Sequence, residues 1–359
     1  MKKNGPSYDC ASRRDLLKAF AAAGAGVMLP TAGLVAQNAK KSGASGNPHR
    51  IDVHHQYSFV RDGNYATAKS AQGARDSIAE MDKHGIDTAI LSTAGYGDEI
   101  YDGSEMGRTL ARKSNEYAAK LVDTYPKRFG FMAVLPIPDI DGSMREIEFA
   151  FDKLHADGVG ILSNIGDKWP GDPAYFPVFQ ELNRRKAVMF IHPFVPKCCR
   201  KLVAGVQDYV VEFDFDTTRA VTSLLYNGVL SKCPDIKLIV NHSGAAVPVL
   251  SGRIKDRVPG DESRDHRDAP REGKNDKIPN GVMYELKRLY YECAHATYPV
   301  SLGALLKFAP SDHILFGTDY PAEPMESTLR ELEAAGLSPD LLRTMERTNA
   351  ERLFPRFKI

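Results

Sequence analysis

Four short apolar runs in this chain end in side chains able to hold a transition-metal ion. They are Asp52-Val53-His54-His55-Gln56, Phe190-Ile191-His192-Pro193, Val240-Asn241-His242-Ser243-Gly244 and Phe316-Gly317-Thr318-Asp319-Tyr320-Pro321. An apolar stem is what a buried strand needs, but nothing in burial calls for an imidazole or a carboxylate at its tip. Imidazole nitrogen and carboxylate oxygen together suit Zn, Mn or Fe, with one position left open for water or substrate. Taken alone, a His at a strand end is more often a hydrogen-bonded structural residue, and Asp319 before Tyr-Pro can cap a turn. Four such ends in one chain point instead to a shared site. No convincing Ser or Cys triad competes with it.

The elements that must position these side chains follow one repeating pattern. Short apolar, β-branched runs occur at residues 50–54, 88–91, 130–135, 158–162, 188–192, 237–241, 288–293 and 313–316. Amphipathic stretches of helical spacing lie between them, at 74–84, 106–124, 143–156, 176–185 and 217–231. Strands alternating with helices imply a buried parallel sheet. Eight such units in some 300 residues fit a closed (β/α)8 TIM barrel over 49–359 better than an open doubly wound sheet, and the barrel form places functional residues at the C-terminal strand ends. No Gly-x-Gly-x-x-Gly or phosphate loop follows the first strand, so dinucleotide binding has no support. The polar excursion at 255–281 reads as a solvated surface loop.

The chain has 359 residues, a formal charge of +1, 43% hydrophobic and 26% charged residues, the balance of an ordinary globular protein. So small a net charge argues against a nucleic-acid or membrane-surface role. Residues 1–39 are of another kind. Ser12-Arg13-Arg14-Asp15-Leu16-Leu17-Lys18 precedes an Ala- and Gly-rich apolar run, with small residues at Ala36 and Ala39. This is the pattern of a twin-arginine export signal, and it implies the twin-arginine export machinery as a partner and a periplasmic destination. The run is too short and too weakly apolar for a firm membrane anchor, so no stable insertion is expected once the signal is cleaved. Of five cysteines, Cys10 would leave with the signal, and the adjacent Cys198 and Cys199 do not have the spacing of zinc ligands.

From about residue 51 to 324 the chain resembles the amidohydrolase-related proteins grouped with aminocarboxymuconate semialdehyde decarboxylase, closest to the 6-methylsalicylate decarboxylase-like members. The stretches that carry the likeness are Asn115-Glu116-Tyr117, Arg128-Phe129-Gly130-Phe131, Asp157-Gly158-Val159-Gly160, Asn241-His242-Ser243-Gly244-Ala245 and Leu315-Phe316-Gly317-Thr318-Asp319-Tyr320-Pro321. The resemblance implies a carboxy-lyase for a small aromatic or unsaturated carboxylic acid. It implies His54, His192 and Asp319 as ligands of one divalent metal, zinc first, with manganese or iron as alternatives. His242, with Asp319, becomes the acid–base. Arg253 becomes a substrate-carboxylate clamp reaching a neighbouring subunit's site, hence a homodimer. No Lys stands at the fourth strand's end, where Leu162-Ser163-Asn164 is found, so a carboxylated-lysine bridge between two metals is not expected.

At one position the chain departs from the family pattern. The second His of the first-strand pair is replaced by Gln56, whose amide oxygen is a neutral, weaker donor. Alternation puts His54 and Gln56 on one face of the strand and His55 on the other. Three arrangements stay open: Gln56 ligates, His55 swings in through a bulge, or the site is degenerate. The same ligand set would also serve hydrolysis of an amide, ester or lactone, and a degenerate site would leave a non-catalytic binding protein.

Overall fold

The computed structural model describes residues 47–57, 68–92, 100–166, 168–261 and 271–359; the expected export segment lies outside them. Asn47–Ile359 makes one compact unit. Its eight strands are all parallel and follow one another round the sheet in chain order. They are β1 (Arg50–Gln56), β2 (Ile86–Ser92), β3 (Phe129–Val134), β4 (Gly158–Leu162), β5 (Val188–His192), β6 (Lys237–Val240), β7 (Tyr290–Glu292) and β8 (Ile314–Leu315). Each expected run coincides with one of them. Past β8 the chain stays against β1: Val53 N donates to Phe316 O at 3.0 Å, Asp319 N to His54 O at 2.8 Å and Gln56 N to Tyr320 O at 2.7 Å. These bonds close the (β/α)8 barrel at the end where the functional residues gather.

The outer layer comprises α1 (Ala68–Lys83), α2 (Glu105–Thr124), α3 (Ile140–Asp152), α4 (Phe176–Arg184), α5 (Asp208–Tyr226), α6 (Val229–Lys232) and α7 (Val247–Asp256). It continues with α8 (Val282–Lys287), α9 (Pro299–Phe308), α10 (Met325–Ala334), α11 (Pro339–Arg343) and α12 (Asn349–Leu353). Side-chain caps fix several starts: Ser104 accepts from Gly107 N and Asp139 from Gly142 N, each satisfying an amide the helix cannot. Among the described residues no helix is long and apolar enough to cross a membrane.

Two expectations about this layer need correcting. The stretch expected at 217–231 begins nine residues earlier, at Asp208, and breaks at Gly228, which takes a left-handed φ of 76°. Tyr209, Val210 and Phe215 are exposed apolar residues on the early turns, and they blur the amphipathic pattern that would have revealed them. The excursion at 255–281 is not merely solvated. Val258 and Ile278 are fully buried, and Asp261, itself buried, accepts the Gly273 amide at 3.0 Å.

Inside the barrel, Ile51, Val53, Ile90, Met132, Val188, Phe190, Ile239 and Leu315 fill the lumen, with Phe354 and Phe357 of the C-terminal segment joining the same cluster. The fourth strand makes room with glycine: a Cβ on Gly158 would lie 2.6 Å from Met132 Sδ and 2.5 Å from Val188 O. One feature of β1 sets up the site. Its register with β2 slips between Asp52 and His55, where three steps on β1 match two on β2. This bulge breaks strict alternation, so that Val53 packs in the lumen and His54, the next residue, also points inward, its ring 4.9 Å from that of Phe190. Bulges at barrel rims re-aim side chains in this way.

Candidate metal centre

The bulge decides between His55 and Gln56. His55 faces out of the barrel, where its Nδ1 lies 3.2 Å from Asp52 Oδ2 and its Nε2 3.1 Å from Ser77 Oγ on α1. Gln56 faces the mouth, and its Nε2 donates to Asp319 Oδ1 and lies 3.5 Å from His192 Nε2. Asp52 locks the arrangement. Its carboxylate accepts from the amides of His54 and Thr318 and from the Thr318 hydroxyl at 2.6 Å, stapling β1 to the segment that carries Asp319.

His54, His192 and Asp319 come from opposite ends of the chain, yet offer ligand atoms that all lie within 4.8 Å of one another. Two of the imidazoles have their tautomers set from behind. His192 Nδ1 donates to Pro193 O at 2.9 Å, leaving Nε2 as a lone pair. His54 Nδ1 meets Glu292 Oε1 at 3.0 Å, so its Nε2 is the atom turned to the centre. That Nε2 lies 2.9 Å from Asp319 Oδ1, yet it is buried and makes no hydrogen bond. A buried imidazole nitrogen without a hydrogen bond, beside a carboxylate and a second lone-pair nitrogen, fits a divalent transition metal.

Electrostatics agree. Burial works against charge on His54, but the carboxylates of Asp319 and Glu292 overcome it and hold its pKa well above 6.5. Burial also works against the Asp319 carboxylate, yet His54 and the other imidazoles hold it well below the usual range. His192 moves the other way: burial, aided by charge on His54, pushes it down to about 3. A cation entering this centre displaces the His54 proton and nothing from His192. Metal affinity is therefore expected to rise about tenfold per pH unit up to the His54 pKa and to fall as pH drops. Calorimetry of metal binding in buffers of different ionisation enthalpy checks this; uptake without proton release would refute it.

His242 sits at the edge of the centre. Its Nε2 is 3.8 Å from Asp319 Oδ2 and its Nδ1 is 3.4 Å from Asp214 Oδ1. Burial lowers its pKa, but the Asp214 and Asp319 carboxylates more than compensate, and the ring is pushed up to about 9. His242 and Ser243 both have left-handed φ, 48° and 56°, in the tight turn after β6. Arg253 is not part of the centre. It is exposed on α7 and makes no hydrogen bond or ion pair among the described residues.

Two residues that sequence reasoning missed stand beside the centre. Glu292, fully buried, ends β7; besides orienting His54 it accepts the His242 amide at 2.7 Å and that of Ala294 at 2.7 Å. A carboxylate at the tip of the apolar run at 288–293 was the signal. Gly317 leaves space for it, since a Cβ there would lie 2.4 Å from Glu292 Oε2 and 2.9 Å from His54 Cβ. His295, three residues on, places Nε2 2.8 Å from Asp319 Oδ2.

A parallel barrel whose strand ends bring imidazoles and a carboxylate to one point defines a candidate metal-dependent TIM-barrel enzyme. More narrowly, the chain belongs to the amidohydrolase family, whose model matches residues 51–356. It is 33% identical over 280 residues to the 6-methylsalicylic acid decarboxylase of Penicillium expansum, covering 76% of this chain and 83% of the relative. It is 25% identical over 297 residues to the gamma-resorcylate decarboxylase of a Rhizobium species, covering 76% and 84%. Among solved structures, the 5-carboxyvanillate decarboxylase of Novosphingobium aromaticivorans, with bound manganese, superposes with a TM-score of 0.72 at 22% identity, covering 85% of this chain and 97% of that one.

Proposed function

We propose that this protein is a metal-dependent decarboxylase of a small hydroxylated aromatic carboxylic acid. The observation that carries the reading is the convergence of His54, His192 and Asp319, with the buried His54 Nε2 lacking a hydrogen bond. His54, His192 and Asp319 would hold one ion, and Gln56 would add its amide oxygen once its amide, whose Nε2 faces Asp319 here, turns over. When bound, the ion would orient the acid and its neighbouring hydroxyl and stabilise negative charge developing on them. Two imidazoles favour zinc; the neutral oxygen donor and the manganese in the solved relative favour manganese.

The residues of the chain handle the proton. His242, whose pKa the Asp214 and Asp319 carboxylates raise to about 9 in the metal-free protein, would carry a proton on an Nε2 turned toward Asp319. It would deliver that proton to the ring carbon as the bond to the carboxylate carbon breaks, so that one CO2 leaves and one C–H bond forms. Neutral His242 then recovers a proton from water, with Asp214 and Asp319 stabilising the charged ring. Incubation with 6-methylsalicylate, 2,6-dihydroxybenzoate and 5-carboxyvanillate should release CO2. Release of acid from esters or lactones with no CO2 from any of the three acids would overturn the reading.

The weak point of the ligand set gives a direct test. Gln56→His is expected to tighten metal binding by about tenfold or more, since imidazole replaces a neutral amide on the same inward face. Competition against a chelator of known affinity measures it, and unchanged affinity would remove Gln56 from the ion's surroundings.

Because Arg253 is exposed and makes no hydrogen bond or ion pair among the described residues, we also propose that it serves the centre of a second copy, in a homodimer. Mixing His242→Ala protein with Arg253→Ala protein should then restore part of the activity that each lacks alone. No restoration under conditions of subunit exchange would end that proposal.

A further inference from the structure

We propose that the mouth of the barrel holds a second, weaker site for a divalent transition metal, formed by His242, His295 and the Oδ2 oxygen of Asp319, and that an ion there silences His242. The silencing rests on the acid–base role given to His242 above; the binding does not.

The Asp319 carboxylate faces two ways. Oδ1 meets His54 Nε2 at 2.9 Å, whereas Oδ2 meets His295 Nε2 at 2.8 Å and lies 3.8 Å from His242 Nε2. His242, His295 and Asp319 thus offer three ligand atoms all within 4.8 Å. A tetrahedral ion with bonds of about 2.1 Å holds its ligand atoms roughly 3.4 Å apart, a spacing that falls between the two Oδ2 distances. His242 Nε2 is buried and makes no hydrogen bond, so an ion entering there would displace its proton without breaking a hydrogen bond. Behind each imidazole stands a carboxylate: Asp214 Oδ1 is 3.4 Å from His242 Nδ1, and Glu323 Oε1 is 3.9 Å from His295 Nδ1. A carboxylate close behind the distal nitrogen is the usual support of a metal-binding histidine, and Asp214 stands in that place for His242, whereas Glu323 is near His295 as a charge only.

An ordinary ion pair between His295 and Asp319 explains the 2.8 Å contact. It does not explain the His242 nitrogen without a hydrogen bond or the carboxylate of Asp214 behind that ring. Access also differs between the sites. His295 is about a third exposed, while His54 is fully enclosed. One carboxylate giving an oxygen to each of two ions is compatible with a separation of about 3.5–4 Å. The arrangement needs no bridging lysine, and none stands at the end of β4. An ion on His242 Nε2 would occupy the atom that must hold the proton.

Cobalt(II) is a suitable probe, because it accepts nitrogen and oxygen ligands and its visible absorption reports each site. Titration of the purified protein should load two ions per chain. His295→Asn, chosen because Asn tolerates the left-handed φ of 55° at this position, should load one. CO2 release should rise through the first equivalent and fall through the second, with the fall absent in the variant. Saturation at one ion in both proteins would overturn the proposal. So would two ions retained in the variant, or a second ion announced by a thiolate charge-transfer band, which would place it on Cys198 and Cys199. Two ions in the wild type and one in the variant without any CO2 release would uphold the site while sinking the decarboxylase reading. No bound cobalt at all would sink both.

Discussion

Replacing His242 by asparagine is expected to lower kcat for CO2 release by about 10²–10⁴-fold, the usual contribution of a positioned acid–base, while leaving the first bound ion in place. Asparagine suits the position because the backbone there has a left-handed φ of 48°, which Asn accepts more readily than most residues. It removes the titrating ring without touching His54, His192 or the Asp319 Oδ1 that faces them. The His242 amide would still donate to Glu292, so the carboxylate behind His54 keeps its anchor. Metal content by elemental analysis and kcat measured on the same sample separate the two roles. Wild-type kcat in a metal-loaded His242→Asn protein would move proton delivery to another group. Loss of the metal itself would place His242 among the ligands of the first ion.

Much of this arrangement was legible in the sequence, for reasons that differ from element to element. The eight strands stood out because buried parallel strands are nearly continuous apolar runs. The runs at 158–162 and 188–192 coincide with β4 and β5 residue for residue. His54, His192, His242 and Asp319 were conspicuous because a strand tip gives no packing reason for such residues. Glu292 and His295 were passed over because β7 is only three residues long and a lone carboxylate at its end resembles a turn residue. Their importance lies in partners 238 positions away, for Glu292 and His54, and 24 away, for His295 and Asp319. The bulge in β1 was likewise invisible, because it depends on how β1 registers against β2 and not on its own residues. Some stretches that carried the family likeness are structural. Asn115 is fully buried and exchanges hydrogen bonds with both the amide and carbonyl of Val134, tying α2 to the end of β3.

The largest expected loss of metal comes from Asp319. Asp319→Asn keeps the shape and suits the left-handed φ of 61°, but it removes the one charge that His54, His242 and His295 share. Without that charge the centre has only neutral donors for the cation, and the bound ion should be lost at concentrations that saturate the wild type. A bound metal is worth several kcal/mol to the transition state, so kcat/KM should fall by about 10³-fold. Glu292→Gln provides the comparison. It removes the carboxylate behind His54 but leaves all the proposed ligands, and it should weaken metal affinity by only about 10–100-fold. The order of the two effects is the test: removing a ligand must cost more than removing its support. If Glu292→Gln loses as much metal as Asp319→Asn, Glu292 belongs among the ligands. If Asp319→Asn retains both ion and activity, the cation does not bind where His54, His192 and Asp319 meet.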